Sequence, residues 1–442
     1  MKRSDCSRFV LAGGMALLLA AGLAACGHGP AAAPPPDSAA PATPTPPLPP
    51  LPPAAPAAPA APAAPAAPVP PPPPTLEHAE AVLSAAHALF SKANLAAVQA
   101  SAGGRYTVLI DPLIDGVTRM QTKATQAIEA RIVQLARSSY PQFELKPFSA
   151  AALAQSPLLV VGTFTPINQQ GKTEGERAMY RFCLAMVDLK SGRLVSKTVA
   201  RSRMETVDAT PLAFFADAPA WSKDAYVDGY VKTCQASKAG DAIQASYVES
   251  LVTASLVDAA VRAYNAAQYR EALQLFTQAQ ASSAGQQLRV LNGLYLANWK
   301  LGRREAALQS FGQIVDYGLA QGQLAMLLLF GTGSTSLAAD SKQAPNELWL
   351  KSIAQRLGGR QGACLEVAGH ASRGGSEVLN ERLSALRAEH VRRRLLAEMP
   401  ALARRIIAAG YGSRETLIGT GRDDVSDMLD RRVEFRPLAC QA

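Results

Sequence analysis

Arg387 stands where a charged group is out of place. Positions 383, 387, 391 and 395 recur every four residues and so share one face of a helix. They hold Leu383, Arg387, Val391 and Leu395, with Ala388 beside them. Arg382, Glu389, Arg392 and Arg393 lie on the opposite side, as a solvated face should. A guanidinium on a core-facing stripe needs acceptors, because burying it unpaired costs several kcal/mol or more. Two partners are open to it: an acid of its own chain, or the carboxylate of a ligand gripped by the planar fork.

Other chemistry is poorly supported. Gly171-Lys172-Thr173 lacks the glycine five positions earlier that a phosphate loop requires, since Pro166 stands there. Gly331-x-Gly333 lacks the third glycine of a dinucleotide fingerprint, and no Gly-x-Ser-x-Gly elbow occurs. The five histidines make no pair with metal spacing; His370 reads as a packed anchor at a strand end. Asp423, Asp424, Asp427 and Asp430 form an acidic run better suited to helix capping and to salt bridges with Arg431 and Arg432 than to calcium. The expectation is a chain that is not an enzyme and uses no cofactor or metal.

The elements around Arg387 follow from local signals. Cys364 to His370 reads as a strand, then a glycine-bearing loop, then a helix opening near Ser376 with Glu377 in its first turn. Strands at 323–330, Ile406 to Tyr411 and Arg432 to Leu438, with a helix over 346–357, complete a βαβαβ layer.

These residues resemble the OmpA-type peptidoglycan-binding domain. The likeness is carried by Gly369-His370, Gly375, Asn380, Leu383-Ser384, Arg387-Ala388, Val391 and Arg431-Arg432-Val433-Glu434, from about Leu327 to the end. It implies that Arg387 grips the carboxylate of diaminopimelate in a peptidoglycan stem peptide, with His370, Asn380, Ser372 and Arg431 around the ligand. An aspartate expected two residues after His370 is replaced by Ser372, which would cost about 1.5–3 kcal/mol of binding. Glu377, Asp423 and Asp424 are candidate substitutes. Asp430 stands where that family has an asparagine.

The N-terminus carries Lys2, Arg3 and Arg8, then an apolar run from Phe9 to Ala21, too short to span a membrane. Leu23-Ala24-Ala25-Cys26 looks like a bacterial lipobox, implying lipidation of Cys26 and an outer-membrane lipid partner. Residues 30–75 are nearly all proline and alanine, which cannot bury a core. As polyproline II they would reach at most about 140 Å. The net charge is +9, but no nucleic-acid motif is visible, and acidic envelope polymers or lipid head groups are the expected partners.

Upstream of the OmpA-like part, strands at 106–111, 143–148, 158–164, 179–189 and 194–201 and a helix at 121–137 predict an α+β domain. Its element order is faintly similar to that of periplasmic domains in secretion and synthase-activating lipoproteins. From 241 to 323 the chain reads as helical. Ala272-x-x-x-Phe276 returns as Ala307-x-x-x-Phe311, and Tyr264 returns as Trp299. The period is near that of tetratricopeptide repeats and suits a groove for a periplasmic protein partner.

The expected architecture is therefore α+β and multi-domain: signal peptide 1–25, lipidated linker 26–75, α+β domain 76–240, TPR-like helices 241–323 and OmpA-like domain 324–442. Pairing within domains would join Cys183 to Cys234 and Cys364 to Cys440, or all four cysteines stay free and buried. The whole reads as an outer-membrane lipoprotein on the periplasmic face that tethers peptidoglycan. The alternatives are a regulator of a peptidoglycan synthase and a component of an envelope assembly complex.

Overall fold

The computed structural model describes residues 74–322, 324–338, 346–422 and 426–440. Cys26, the signal-like segment, most of the proline-rich stretch, Asp423 and Asp424 lie outside the described residues. Among the described residues no helix is long and apolar enough to cross a membrane.

The first layer is a seven-stranded mixed sheet. Its strands are β1 (Thr75–Leu76), β2 (Tyr106–Ile110), β3 (Ile114–Asp115), β4 (Phe143–Leu145), β5 (Leu158–Ile167), β6 (Met179–Asp188) and β7 (Arg193–Ser202). They run in the order β1-β7-β6-β5-β2-β4, with β3 beside β5. The β6–β7 turn falls on Lys190–Gly192, where Gly192 supplies a left-handed φ of 66°.

β5 reads Leu-Leu-Val-Val-Gly-Thr-Phe-Thr-Pro-Ile and is buried throughout, because helices cover both sheet faces. Helices α1 (His78–Ser91) and α2 (Lys123–Ser139) bury Leu89, Phe90, Ile128 and Ile132 on one side. The other side is covered by α3 (Ala150–Leu153), α5 (Ala225–Gln235), α6 (Ala245–Glu249) and the start of α7 (Leu251–Asn265), while α4 (Ala213–Asp217) packs into the core of the helices that follow. Cys183 of β6 lies 5.9 Å, Cα to Cα, from Cys234 of α5, and the two form a disulfide.

Two helical hairpins follow: α7 with α8 (Tyr269–Gln280), and α9 (Leu288–Lys300) with α10 (Arg304–Ala320). The residues related by a 35-residue offset occupy equivalent places. Ala272, Phe276, Ala307 and Phe311 are all fully buried, and Tyr264 and Trp299 nearly so. Gly293 gives Phe276 its room: a Cβ there would lie 2.3 Å from the ring.

The last layer is a four-stranded sheet built from β8 (Leu324–Leu329), β9 (Ala363–Gly369), β10 (Ile406–Gly410) and β11 (Arg432–Ala439), in the order β10-β9-β11-β8. Only β10 and β9 are parallel. Helices α11 (Asn346–Gly358) and α12 (Glu377–Glu398) pack on it. Cys364 and Cys440 form a second disulfide across the β9–β11 ends, Cα atoms 5.0 Å apart.

This layer is continuous with the helices before it. One apolar core joins Tyr295, Phe311 and Trp349 to Leu365, Val391 and Phe435. Trp349 of α11 stacks on Phe311, centroids 5.6 Å apart, and donates to the Tyr295 hydroxyl at 2.9 Å. The outer edge of β8 is closed by the segment before α5: Ala220 bridges Met326, and Leu327 N–H donates to Pro219 O at 2.8 Å. An edge strand left open would offer a template for stray pairing, and here the chain covers its own.

Candidate functional site

Helix α12 is capped as its sequence implies, with the Ser376 hydroxyl accepting from Leu379 N–H at 3.4 Å. Its buried side is Asn380, Ser384, Arg387, Ala388, Val391 and Leu395; Leu383 sits at the margin, half-buried. The helix lies directly on the sheet because two glycines let it. A Cβ on Gly369 would come 1.9 Å from Ser384 O, and one on Gly410 2.6 Å from Ala385 N. The glycine before His370 is thus required by main-chain contact between strand and helix.

Arg387 is fully buried. Its Nε donates to Ser334 O, one Nη to His370 O and the other to Gly331 O, each at 2.9 Å. The guanidinium also lies 5.2 Å from the centre of the Phe330 ring. The loop after β8 and the end of β9 therefore turn three carbonyls onto one cation. Loop carbonyls are thus part of what holds a charge for which the sequence suggested an acid.

The other expected residues fall into two groups. His370, Ser372, Asn380 and Arg431 are all buried within the same layer. Arg431 Nε donates to Phe330 O at 3.4 Å, beside the loop that holds Arg387. Glu377 is drawn elsewhere: its carboxylate accepts from Ser413 N–H at 3.2 Å and from the Ser413 hydroxyl, with Arg414 3.9 Å away. Asp430 accepts three main-chain N–H groups from Leu417, Ile418 and Gly419, shaping the loop before β11. Asp427 accepts from both the N–H and the hydroxyl of Thr420. Among the described residues no group of three His, Cys, Asp or Glu side chains could hold a metal ion.

A charge cluster that sequence reasoning missed surrounds His370. Its ring stacks on Tyr411, centroids 5.5 Å apart, with Glu415 and Glu434 each 3.9 Å from a ring nitrogen. Burial, then the charge of Arg432, hold the imidazole neutral, with its pKa pushed down to about 2. Burial works against the charged form of Glu434, but Arg432 and Lys223 outweigh it and hold the carboxyl at about 2. Arg432 Nε donates to Glu434 at 2.7 Å. The alternation of Arg432 and Glu434 along β11 was the only sequence signal for this cluster; Lys223, nearly 200 positions earlier, gave none.

A second buried charge lies in the first layer. Asp111, at the end of β2, accepts from the Tyr226 and Tyr247 hydroxyls, and Arg289 of α9 lies over the Tyr226 ring at 4.5 Å. Burial raises the Asp111 pKa against the pull of those hydroxyls and of Arg289.

The four-stranded layer with two helices on it, and a buried arginine at the centre of the longer helix, define an OmpA-like domain. Residues 329–427 match the OmpA family, so the C-terminal part of the chain is an OmpA-family domain. Among solved structures, the peptidoglycan-associated lipoprotein of Burkholderia pseudomallei is 22% identical, with 25% of this chain and 89% of that one covered at a TM-score of 0.23. The C-terminal domain of Helicobacter pylori MotB is 18% identical, covering 26% and 84% at 0.22. The OmpA-like domain of FopA1 from Francisella tularensis is 23% identical, covering 26% and 73% at 0.21. A search of the curated proteins finds no match.

Proposed function

We propose that this chain is a non-enzymatic tether and scaffold of the bacterial envelope, anchored at the outer membrane through lipid on Cys26 and docking on peptidoglycan through its OmpA-family domain. The observation that carries the reading is the family match over 329–427, within which Arg387 sits on the buried side of α12 beside His370. The fork that grips a diaminopimelate carboxylate is held under the Gly331–Ser334 loop. A ligand reaches it by displacing carbonyls already bonded to the cation. Docking is accordingly weak, and weaker still with Ser372 in the place of an acid.

The test is sedimentation of the full chain with purified sacculi. Wild type co-sediments, and Ser372→Asp, which restores the acid, tightens binding on the order of tenfold or more. If neither wild type nor Ser372→Asp sediments, the docking claim fails. Cys26→Ala should move the protein from the membrane to the soluble periplasmic fraction, and its retention in the membrane would sink the anchor.

A second reading is favoured by the complete burial of Arg387 on main-chain carbonyls. There the OmpA layer is a structural part of a regulatory or assembly scaffold, and protein partners are met by the helical hairpins and the first layer. Cross-linking in cells, with identification of what residues 106–320 touch, separates the two.

A further inference from the structure

The loop that joins β5 to β6 runs over residues 168–178 and buries an arginine near its end. Loops ordinarily stay at the surface, where water satisfies their main chain. This one braces itself. The Asn168 side chain accepts from Lys172 N–H and donates to Glu174 O, both at 2.9 Å, and Gly171 and Gly175 turn the chain at φ 81° and 69°. Arg177 is only 4% exposed. Its guanidinium donates to Thr173 O and Gly175 O within the loop and, at 3.0 Å, to Thr416 O of the C-terminal layer. Its main-chain N–H donates to Gly419 O at 3.2 Å.

Thr416 and Gly419 belong to the loop between β10 and β11. Asp430 fixes that loop by accepting three of its N–H groups, and Arg177 fixes it through two of its carbonyls. The approach is close: at Gly419, where φ is 64°, a Cβ would come 3.1 Å from Gly175 O and 3.4 Å from Arg177 Cγ. The same loop lies against the segment that carries Ser372. Ala371 N–H donates to Gly412 O at 2.8 Å, and a Cβ on Gly421 would meet the Arg373 Cβ at 3.8 Å. Ser372 stands between those two contacts, where the docking reading places the missing acid.

We infer that Arg177 is a positioning residue for the docking end of the OmpA-family domain. The β5–β6 loop is a strut from the first layer that fixes the 412–421 loop, and through it Ala371–Arg373, in the shape a peptidoglycan stem peptide meets. The inference rests on the docking reading and adds to it a part that the C-terminal layer does not itself contain.

Neither layer depends on Arg177 for its fold. β5 and β6 pair without a break from Leu158 opposite Asp188 to Ile167 opposite Met179, and that ladder ends before the loop. The C-terminal sheet pairs through β9 and β11, and Asp430 keeps its three N–H groups whatever stands at 177. Removing the guanidinium strands three loop carbonyls and releases two loops from each other, so its effect is local.

Hydrogen exchange and sacculus sedimentation of the full chain test it together. In Arg177→Gln the opening of peptides from 411–421 should rise on the order of tenfold, with β5 and β9 as protected as in wild type and the thermal midpoint little changed. Affinity for sacculi should fall on the order of tenfold with it. Arg177→Lys, which keeps a cation beside Thr416 O, should recover part of both. Gly419→Ala breaks the same contact from the other side and should reproduce the loosening. Unchanged exchange over 411–421 in both Arg177→Gln and Gly419→Ala overturns the strut, whether or not wild type sediments. Looser exchange with undiminished sedimentation overturns the positioning role. Wild type that does not sediment removes the docking reading and the positioning role with it, while exchange still decides whether the strut exists. A lowered midpoint with exchange rising throughout both layers makes Arg177 a residue of the fold and overturns the inference as well.

Discussion

Asp111 and Arg387 are both fully or almost fully buried charges, and the two ends of the molecule treat them differently. Arg387 is held by carbonyls of Gly331, Ser334 and His370, all belonging to its own layer. Asp111 is held by tyrosine hydroxyls from two different helices, with an arginine from a third nearby. A guanidinium cannot be neutralised in a protein, so its cage must be complete. A carboxyl can take up a proton, so its surroundings need not be. The first solution gives a rigid site and the second an adjustable one.

The largest effect should come from breaking the rigid site. Arg387→Leu removes the cation and strands three carbonyls in the interior, which should destabilise the C-terminal layer by about 3–5 kcal/mol. Asp111→Asn keeps the shape and an acceptor for the tyrosines, and should cost about 1 kcal/mol. Urea unfolding of both variants measures the contrast; equal losses would mean the two charges are not held in different ways. Arg387→Lys should resemble the leucine variant more than wild type, because one ammonium cannot span the fork that the three carbonyls define.

Slightly smaller is Gly369→Ala. The added methyl would meet the Ser384 carbonyl, and neither strand nor helix can yield without breaking β9–β11 pairing. About 3 kcal/mol of overpacking strain is expected, read as a fall in unfolding midpoint with little change in denaturant slope. Gly375→Ala, where a Cβ meets nothing but φ is 85°, should cost only about 1 kcal/mol.

pH should separate the layers by sign. His370 and Glu434 both have folded-state pKa values near 2. The unfolded imidazole takes up protons below about 6.5 and the unfolded carboxyl below about 4.5. Stability in the C-terminal layer is therefore lost as pH falls, first through His370 and then through Glu434. In the first layer, burial pushes the Glu129 carboxyl of α2 up to about 7, so stability there is lost as pH rises. Exchange protection of β9 and of α2, followed across pH 4–8, should move in opposite directions. Parallel movement would break the contrast.

The C-terminal layer was the more legible of the two because its constraints are local. Gly369-His370, the Ser376 cap and the four-residue spacing through Arg387 each report on contacts made within a turn or a strand. The identity of Arg387's acceptors left no trace, since any residue supplies a carbonyl. The Asp111 network was invisible for the opposite reason: its members, at 111, 226, 247 and 289, are brought together only by tertiary packing. The continuity between hairpins and C-terminal layer was likewise hidden in Trp349, which reads as an ordinary helix position. A boundary at 323/324 is natural in sequence, yet the apolar core crosses it.

The smallest predicted effect concerns the region between the two layers. Gly302 turns the second hairpin with φ 75°, and Ala267, 35 positions earlier, turns the first with φ 59°. An L-residue pays about 1 kcal/mol or more in that conformation, while glycine pays more entropy on folding. Ala267→Gly should therefore stabilise by about 0.5 kcal/mol, and Gly302→Ala, whose new Cβ meets no atom within 4 Å, should destabilise by about 1 kcal/mol. Thermal unfolding of the two variants would show shifts of opposite sign. If Ala267→Gly destabilises instead, the first turn is not the equivalent of the second. The 35-residue correspondence would then be confined to the buried Ala and Phe positions, and the hairpins would be two packed pairs and not two copies of one unit.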